Sequence, residues 1–326
     1  MTVGSTTRVL VIEYSQSGDV SRAAEAVAAD LVAQGVEVVW ERLHPSPDYP
    51  YPWRSVRTFF DMLPECVLGR TPLLRPLSER CSGRFSLVIL AYQVWFLKPS
   101  LPIQALLTSQ YSAVLRGTDV VTLSVSRNMW LMASESMKER LEHVGASHVG
   151  QLVATHQGPP WATFVSTVRG VLWGKRKPLW GLFPAAGIGD AELSTLREAG
   201  RLIATHVQQD RESAASDALQ LPPLRVRRRY IVPELLGSYV FAGWARCMSS
   251  LGMQGGRMRR MAAAAFVPLL IVLIVVCMPV VIGLTLLLRP LIAKRLDRFV
   301  DRINELKRPQ GADARGRGTQ QRSGPV

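Results

Sequence analysis

Short apolar runs alternate with amphipathic stretches through the first 210 residues. Arg8–Tyr14 (RVLVIEY) is β-branched and nearly continuous in apolar character, the pattern of a strand buried on both faces. Asp19–Gln34 repeats apolar residues at Val20, Ala23, Ala24, Val27 and Leu31, a helical period, and Gly35 ends it. Val36–Leu43, Phe85–Gln93, Asp119–Ser126 and His148–His156 read as four further strands. Helices are expected near Val56–Leu63, Ile103–Leu115 and Leu131–Val144, and from Asp190 to about Gln209. Strand–helix alternation implies an α/β fold: a parallel sheet with right-handed crossovers and helices on both faces. Five strands fit the doubly wound order 2-1-3-4-5, whose ligand site lies at the C-terminal ends of the first and third strands.

Beyond the body the pattern changes. Met261–Leu288 carries no charged residue over 28 positions, where about 20 suffice to cross a bilayer core. A C-terminal transmembrane helix is therefore expected. Arg257, Arg259 and Arg260 precede the run, and Arg289, Lys294, Arg295 and Arg298 follow it. Pro268 and Pro279 interrupt it, each removing a helix hydrogen bond. Two topologies stand open: a single span, which is preferred, and a re-entrant hairpin bent near Pro279. With no basic and apolar leader at the N-terminus, the body is expected on the cytoplasmic side of the cytoplasmic membrane. Tyr230–Met253 holds Glu234 and Arg246 as its charged residues and reads as an interfacial or linker helix. Arg308–Val326 reads as disordered.

The domain boundaries follow: 1–210 for the body, 211–260 for a basic linker, 261–288 for the membrane segment and 289–326 for a basic tail. Charge sharpens this division. The chain has 326 residues and a net charge of +14, which alone suggests a nucleic-acid partner. Residues 1–210 carry only +2 of it, and residues 211–326 carry +12. The charge belongs to the membrane region, where anionic headgroups are the expected partner, and no nucleic-acid partner is expected. Four cysteines (Cys66, Cys81, Cys247, Cys277) form no CxxC or Cys/His cluster, so neither a metal site nor a disulfide framework is expected.

Candidate chemistry sits in three loops at strand ends. Ser15-Gln16-Ser17-Gly18 joins the first strand to the first helix, and its hydroxyls, glycine and helix N-terminus make a phosphate cradle. It has neither a Gly-x-Gly-x-x-Gly pattern nor the lysine of a P-loop, which argues against nucleotide hydrolysis. Gln93–Pro99 places Trp95 beyond the third strand, and Arg127–Trp130 places Trp130 beyond the fourth; each could stack on a flat ligand. Tyr92 and His156, at strand ends, are candidate proton acceptors.

These residues carry a resemblance. LVILAYQVWFLKPSLPIQALL (Leu87–Leu107), with YSQSGDVS and the strand order, resembles the flavodoxin-like FMN domains over Arg8–Gln209. By that resemblance Ser15, Gln16, Ser17 and Gly18 would hold the phosphate of FMN, and Trp95, with Trp130, would flank the isoalloxazine. The chain departs from the usual pattern at Val20, where that pattern has Thr or Ser, so one phosphate hydrogen bond is in question. More narrowly, YSQSG, SRNMWLMA and the membrane tail resemble the dialkylresorcinol condensing enzymes. In that family the flavodoxin-like member is associated with aromatising a cyclohexanedione to a resorcinol, beside a separate ketosynthase. Condensation itself would need a nucleophilic cysteine with histidine partners, a pattern that Cys66 and Cys81 do not show.

Residues 158–189 form an insertion with Trp161, Phe164, Trp173, Trp180 and Phe183 beside Arg169, Lys175, Arg176 and Lys177. It is expected to touch lipid or to cover a long-chain substrate. The leading expectation is a membrane-anchored FMN oxidoreductase acting on a lipophilic cyclic ketone or phenol, with a ketosynthase as partner. The alternatives are a quinone reductase, and a non-enzymatic electron carrier or scaffold.

Overall fold

The computed structural model describes residues 7–212 and 219–306; the expected disordered tail, Arg308–Val326, lies outside them. Five parallel strands form the central sheet: β1 (Arg8–Glu13), β2 (Glu37–Arg42), β5 (Leu87–Trp95), β7 (Asp119–Ser126) and β8 (Ser147–Thr155). Their spatial order is β2-β1-β5-β7-β8, which is the expected 2-1-3-4-5. Two-residue strands complete the set: β3 (Pro45–Ser46) pairs with β4 (Leu73–Leu74), and β6 (Lys98–Pro99) folds back on β5.

Alternation along the strands builds two cores. Val9, Val11, Leu87, Ile89 and Ala91 point to one face, under α1 (Asp19–Ala33) and α7 (Asp190–Glu212). Leu10, Ile12, Val88, Leu90 and Tyr92 point to the other, as the two-residue period of a strand requires. That second face is covered by α2 (Val56–Asp61), α3 (Leu63–Leu68), α4 (Leu101–Thr108) and α5 (Leu131–Val144). Helices α1 and α7 meet closely at Gly200, where a Cβ would stand 2.2 Å from the Val27 carbonyl oxygen. Any side chain there would push the helices apart. The expected helix at Val56–Leu63 is two short helices, and the one at Ile103–Leu115 is α4 followed by a 3₁₀ segment, Gln110–Leu115.

Within the insertion, α6 (Pro160–Trp173) lies over the C-terminal ends of the strands. Its last turn accepts backbone hydrogen bonds from Trp53 and Arg54. After the body, α8 (Ile231–Ser250) packs on α3 and α5. Then α9 (Arg257–Val272), a π turn (Leu273–Cys277) and α10 (Met278–Leu287) form one continuous helix, long and apolar enough to cross a membrane. The chain runs through Pro279 as helix rather than doubling back there. Proline clashes with the carbonyl four residues earlier, here Val275, and the π turn takes up that clash. Helix α11 (Arg289–Asn304) follows.

Candidate functional site

The loop after β1 turns into α1 at Gly18, whose φ of 87° a residue with a Cβ would rarely adopt. This turn aims the backbone of Ser15–Gly18 at the N-terminus of α1. The Ser15 hydroxyl accepts from the Ser21 amide at 3.2 Å. The Ser17 hydroxyl donates to Asp19 at 3.0 Å. Asp19, buried in the first helical turn, pairs with Arg176 of the insertion, and Arg176 also donates to the Ser17 carbonyl. Gln16 is held on both sides, donating to the Pro50 carbonyl at 2.9 Å and accepting from the Trp53 indole at 3.1 Å. Val20 is buried in the core, while Ser21 donates to Glu13 at 2.9 Å rather than facing outward.

A cleft of about 660 Å³ opens beside this loop, lined by Ser17, Gly18, Arg22, Arg42, Arg176 and Lys177 among others. Four cations face it against Glu25 and Asp190. Helix N-terminal N–H groups and guanidinium groups together select an anion. The residues therefore fit a phosphate group, with two local competitors: the Asp19 carboxylate already engages Arg176, and the Glu13 carboxylate engages Arg42.

A second cavity, of about 560 Å³, lies at the ends of β5 and β7. Its walls are largely apolar: Phe60, Val94, Phe96, Phe164, Val240 and Phe241 from the body and α8, and Leu270, Leu273, Ile274 and Met278 from the long helix. One end is polar, with Ser126, Arg127 and Thr167. The Ser126 hydroxyl is buried with no hydrogen-bond partner among the described residues. Phe96 and Leu97 reach the cavity from a two-residue β-turn with φ of 49° and 63°. Side chains disfavour that conformation by about 1–2 kcal/mol per residue. The aromatic packing of Phe96 on Phe59, Phe60 and Phe241 holds it there.

His156 bridges through its backbone to Ile188, which lines the cleft. Its Nδ1 lies 2.9 Å from the Thr167 hydroxyl, which lines the cavity. Burial lowers its pKa to about 4; Asp19 opposes that shift, while Arg176 and Arg127 add to it. The imidazole is thus neutral at physiological pH. Burial likewise lowers Arg127 to about 10, and its guanidinium lies over the Phe164 ring at 5.2 Å.

The structure brings Ser15, Gln16, Ser17, Gly18 and His156 to one edge of the sheet. Trp95 is packed edge-on against Tyr14 at 5.8 Å and Tyr49 at 5.3 Å, inside the core. Trp130 lines a separate cleft of about 290 Å³ with Asn128, Gln151 and Arg227. Tyr92 is fully buried in the core, and burial raises its pKa. Cys66 is also fully buried, its thiol pKa raised by burial and its Sγ 3.4 Å from the Trp95 carbonyl, an environment for a structural thiol. No group of metal-ligating side chains occurs among the described residues. Sequence reasoning did not single out Arg176, Arg127, Thr167 or Ser126. The basic cluster of the insertion was the available signal for Arg176, but not for its turning inward.

No known family profile matches the chain, and no curated protein matches it. Among solved structures it is similar to an archaeal flavodoxin, at 14% identity over 62% of this chain and 99% of that one, with a TM-score of 0.35. It is also similar to an azoreductase from Bacillus anthracis str. Sterne (10% identity, 60% and 99%, TM-score 0.33). A third is an NAD(P)H:quinone oxidoreductase from Methanothermobacter marburgensis (16% identity, 61% and 96%, TM-score 0.28). The body has the flavodoxin-like fold. Its own strand order and all-parallel pairing define it as such.

Proposed function

We propose that this protein is a membrane-associated FMN-dependent oxidoreductase whose substrate is a lipophilic cyclic ketone, phenol or quinone. One observation carries the reading. An apolar cavity of about 560 Å³ with a polar end adjoins the same sheet edge as an anion-binding loop at a helix N-terminus. In doubly wound folds this edge is where ligands bind. Ser15, Ser17, the backbone at Gly18, and Arg176 would hold the phosphate of FMN. When bound, FMN supplies an acceptor for a hydride equivalent.

The chain's own residues supply the rest. The apolar walls exclude water and take the hydrocarbon part of the substrate. Ser126 and Arg127 orient its oxygen at the polar end. His156, held neutral, is the group available to take a proton through the Thr167 hydroxyl. Within this class we favour oxidation of an alkylated cyclohexanedione to a dialkylresorcinol, with a ketosynthase supplying the ring. That oxidation removes two hydrogens from the ring; bound FMN would supply the acceptor for the hydride equivalent, and His156 would take the proton. The body would then sit on the cytoplasmic face of the membrane. Quinone reduction uses the same cavity in the opposite redox direction and is the second reading. An electron carrier would present its flavin to an acidic or open face, whereas the cleft beside this loop is lined by Arg22, Arg42, Arg176 and Lys177.

Anaerobic spectroscopy of the FMN-loaded protein separates the two. Bleaching of the oxidised flavin band by an alkylated cyclohexanedione supports the first reading. A band untouched by the dione, together with rapid reoxidation of the reduced protein by a lipophilic quinone, supports the second.

A further inference from the structure

The helix Arg257–Leu287 could cross a bilayer by length and composition, yet both of its ends are fastened to the same body. At its start Arg259, fully buried, pairs with Asp61 at 2.8 Å and with Glu65 at 2.8 Å. Asp61 also accepts from the Gly255 amide at 2.7 Å, just before the helix. At the other end α10 leads into α11, and buried Lys138 of α5 caps its last turn. The Lys138 ammonium donates to the carbonyls of Arg302 at 2.7 Å, Ile303 at 2.6 Å and Glu305 at 2.9 Å. Leu296 and Ile303 of α11 are buried against Trp130 and Leu131. Between these clamps the helix runs antiparallel over α8. Phe266 packs on Phe241 and Trp244, and α10 lies against the start of α8.

A straight helix of this length spans about 46 Å, against a bilayer core of about 30 Å. The start is clamped to the body directly, and the far end lies against Arg228–Tyr230 and is tied back through α11, so the two ends cannot stand on opposite sides of a membrane. The outward face remains apolar: Val275 is 65% exposed, Val280 57% and Leu287 73%. Beside its far end, Arg227, Arg229 and Arg289 line a cleft of about 360 Å³ with Thr285 and Leu286. Cations gathered at the edge of an uncharged stripe match phosphate headgroups above acyl chains.

We propose that Arg257–Leu287 lies in the plane of one leaflet, so that the protein is monotopic. Its outward face is buried among acyl chains, and the Arg227/Arg229/Arg289 cleft takes lipid phosphates. The wall between the apolar cavity and the lipid is then one helix thick, at Leu270, Leu273 and Ile274. This inference stands whether or not the body binds flavin.

The test uses the full chain carrying Cys81→Ser, Cys247→Ser and Cys277→Ala, with Gln254→Cys and Lys294→Cys at exposed positions on either side of the helix. The protein is reconstituted into phosphatidylcholine/phosphatidylglycerol vesicles by detergent removal and treated with a membrane-impermeant maleimide. Intact mass then counts labels per molecule. In-plane placement yields molecules with two labels or none, whichever way they face. A spanning helix yields molecules with one, which would overturn the proposal, as would failure of the protein to float with vesicles. Arg227→Gln/Arg229→Gln/Arg289→Gln should weaken binding to phosphatidylglycerol vesicles roughly 100-fold, leaving phosphatidylcholine binding unchanged. Equal loss on both lipids, or none on either, would remove the headgroup assignment.

Discussion

Glu234 of α8 is fully buried beneath the N-terminus of α5, where one carboxylate oxygen accepts from the Met132 amide at 2.9 Å. Its other oxygen has no hydrogen-bond partner among the described residues. Burial raises its pKa to about 8, against an ordinary 4.5, and the helix N–H groups only partly oppose that shift. The folded state therefore holds a proton that the unfolded state releases between those two values. Stability contributed by this group is present below pH 4.5 and is lost as pH rises toward 8. A carboxyl displaced this far destabilises by about 4 kcal/mol at pH 9 relative to pH 5. Glu234→Gln keeps the acceptor for the Met132 amide and deletes the ionisation. Urea unfolding in a mild detergent, followed by tryptophan fluorescence, should show Glu234→Gln more stable than the parent at pH 9 by about 3 kcal/mol, and by under about 1 kcal/mol at pH 5. The difference between the two proteins is the readout, so titration of other groups cancels. An unchanged pH slope, or a variant less stable at pH 9, would refute the reasoning.

Three further outcomes are expected. Arg176→Ala should weaken FMN affinity by about 10- to 100-fold through a lost charge-assisted bond, while Asp19→Asn, which frees Arg176, should strengthen it; shifts in the same direction in fluorescence titrations would contradict the assignment. Arg259→Met leaves buried Asp61 and half-buried Glu65 without a counter-charge and should cost about 3–5 kcal/mol in urea unfolding, largely restored by adding Asp61→Asn and Glu65→Gln. His156 titrates near 4 in the folded protein and near 6.5 unfolded, so its contribution to stability is full above pH 6.5 and is lost as pH falls toward 4; His156→Asn should flatten unfolding curves over that window, and equal slopes for the two proteins would sink the point.

The sheet was legible because parallel strands buried on both faces leave near-continuous apolar runs, as in Arg8–Glu13 and Asp119–Ser126. Strand order followed from the alternation and was met. The turn at Ser15–Gly18 was legible from position alone: hydroxyls and a glycine between a strand and a helix. What surrounds it was not. Arg176 sits 157 residues from Asp19, and nothing local distinguishes a basic residue that turns inward from Lys175 or Arg169. Trp95 shows the converse. Its place beyond a central strand suggested a stacking surface, yet Tyr14 and Tyr49 close over it. The uncharged run was plain in composition, but its docking depends on Arg259 and Lys138. Their partners lie far away in the chain, and charge counts treat those two as ordinary surface cations.

A flavin site built from the Ser15–Gly18 loop and the neighbouring cavity is open to a direct test. Titrating FMN with the full-length protein in detergent, with flavin fluorescence as the readout, tests it most directly. Saturable binding at one FMN per chain, weakened by Arg176→Ala, is expected. Flavin fluorescence that stays unchanged across the titration, with no flavin retained on gel filtration, would contradict it.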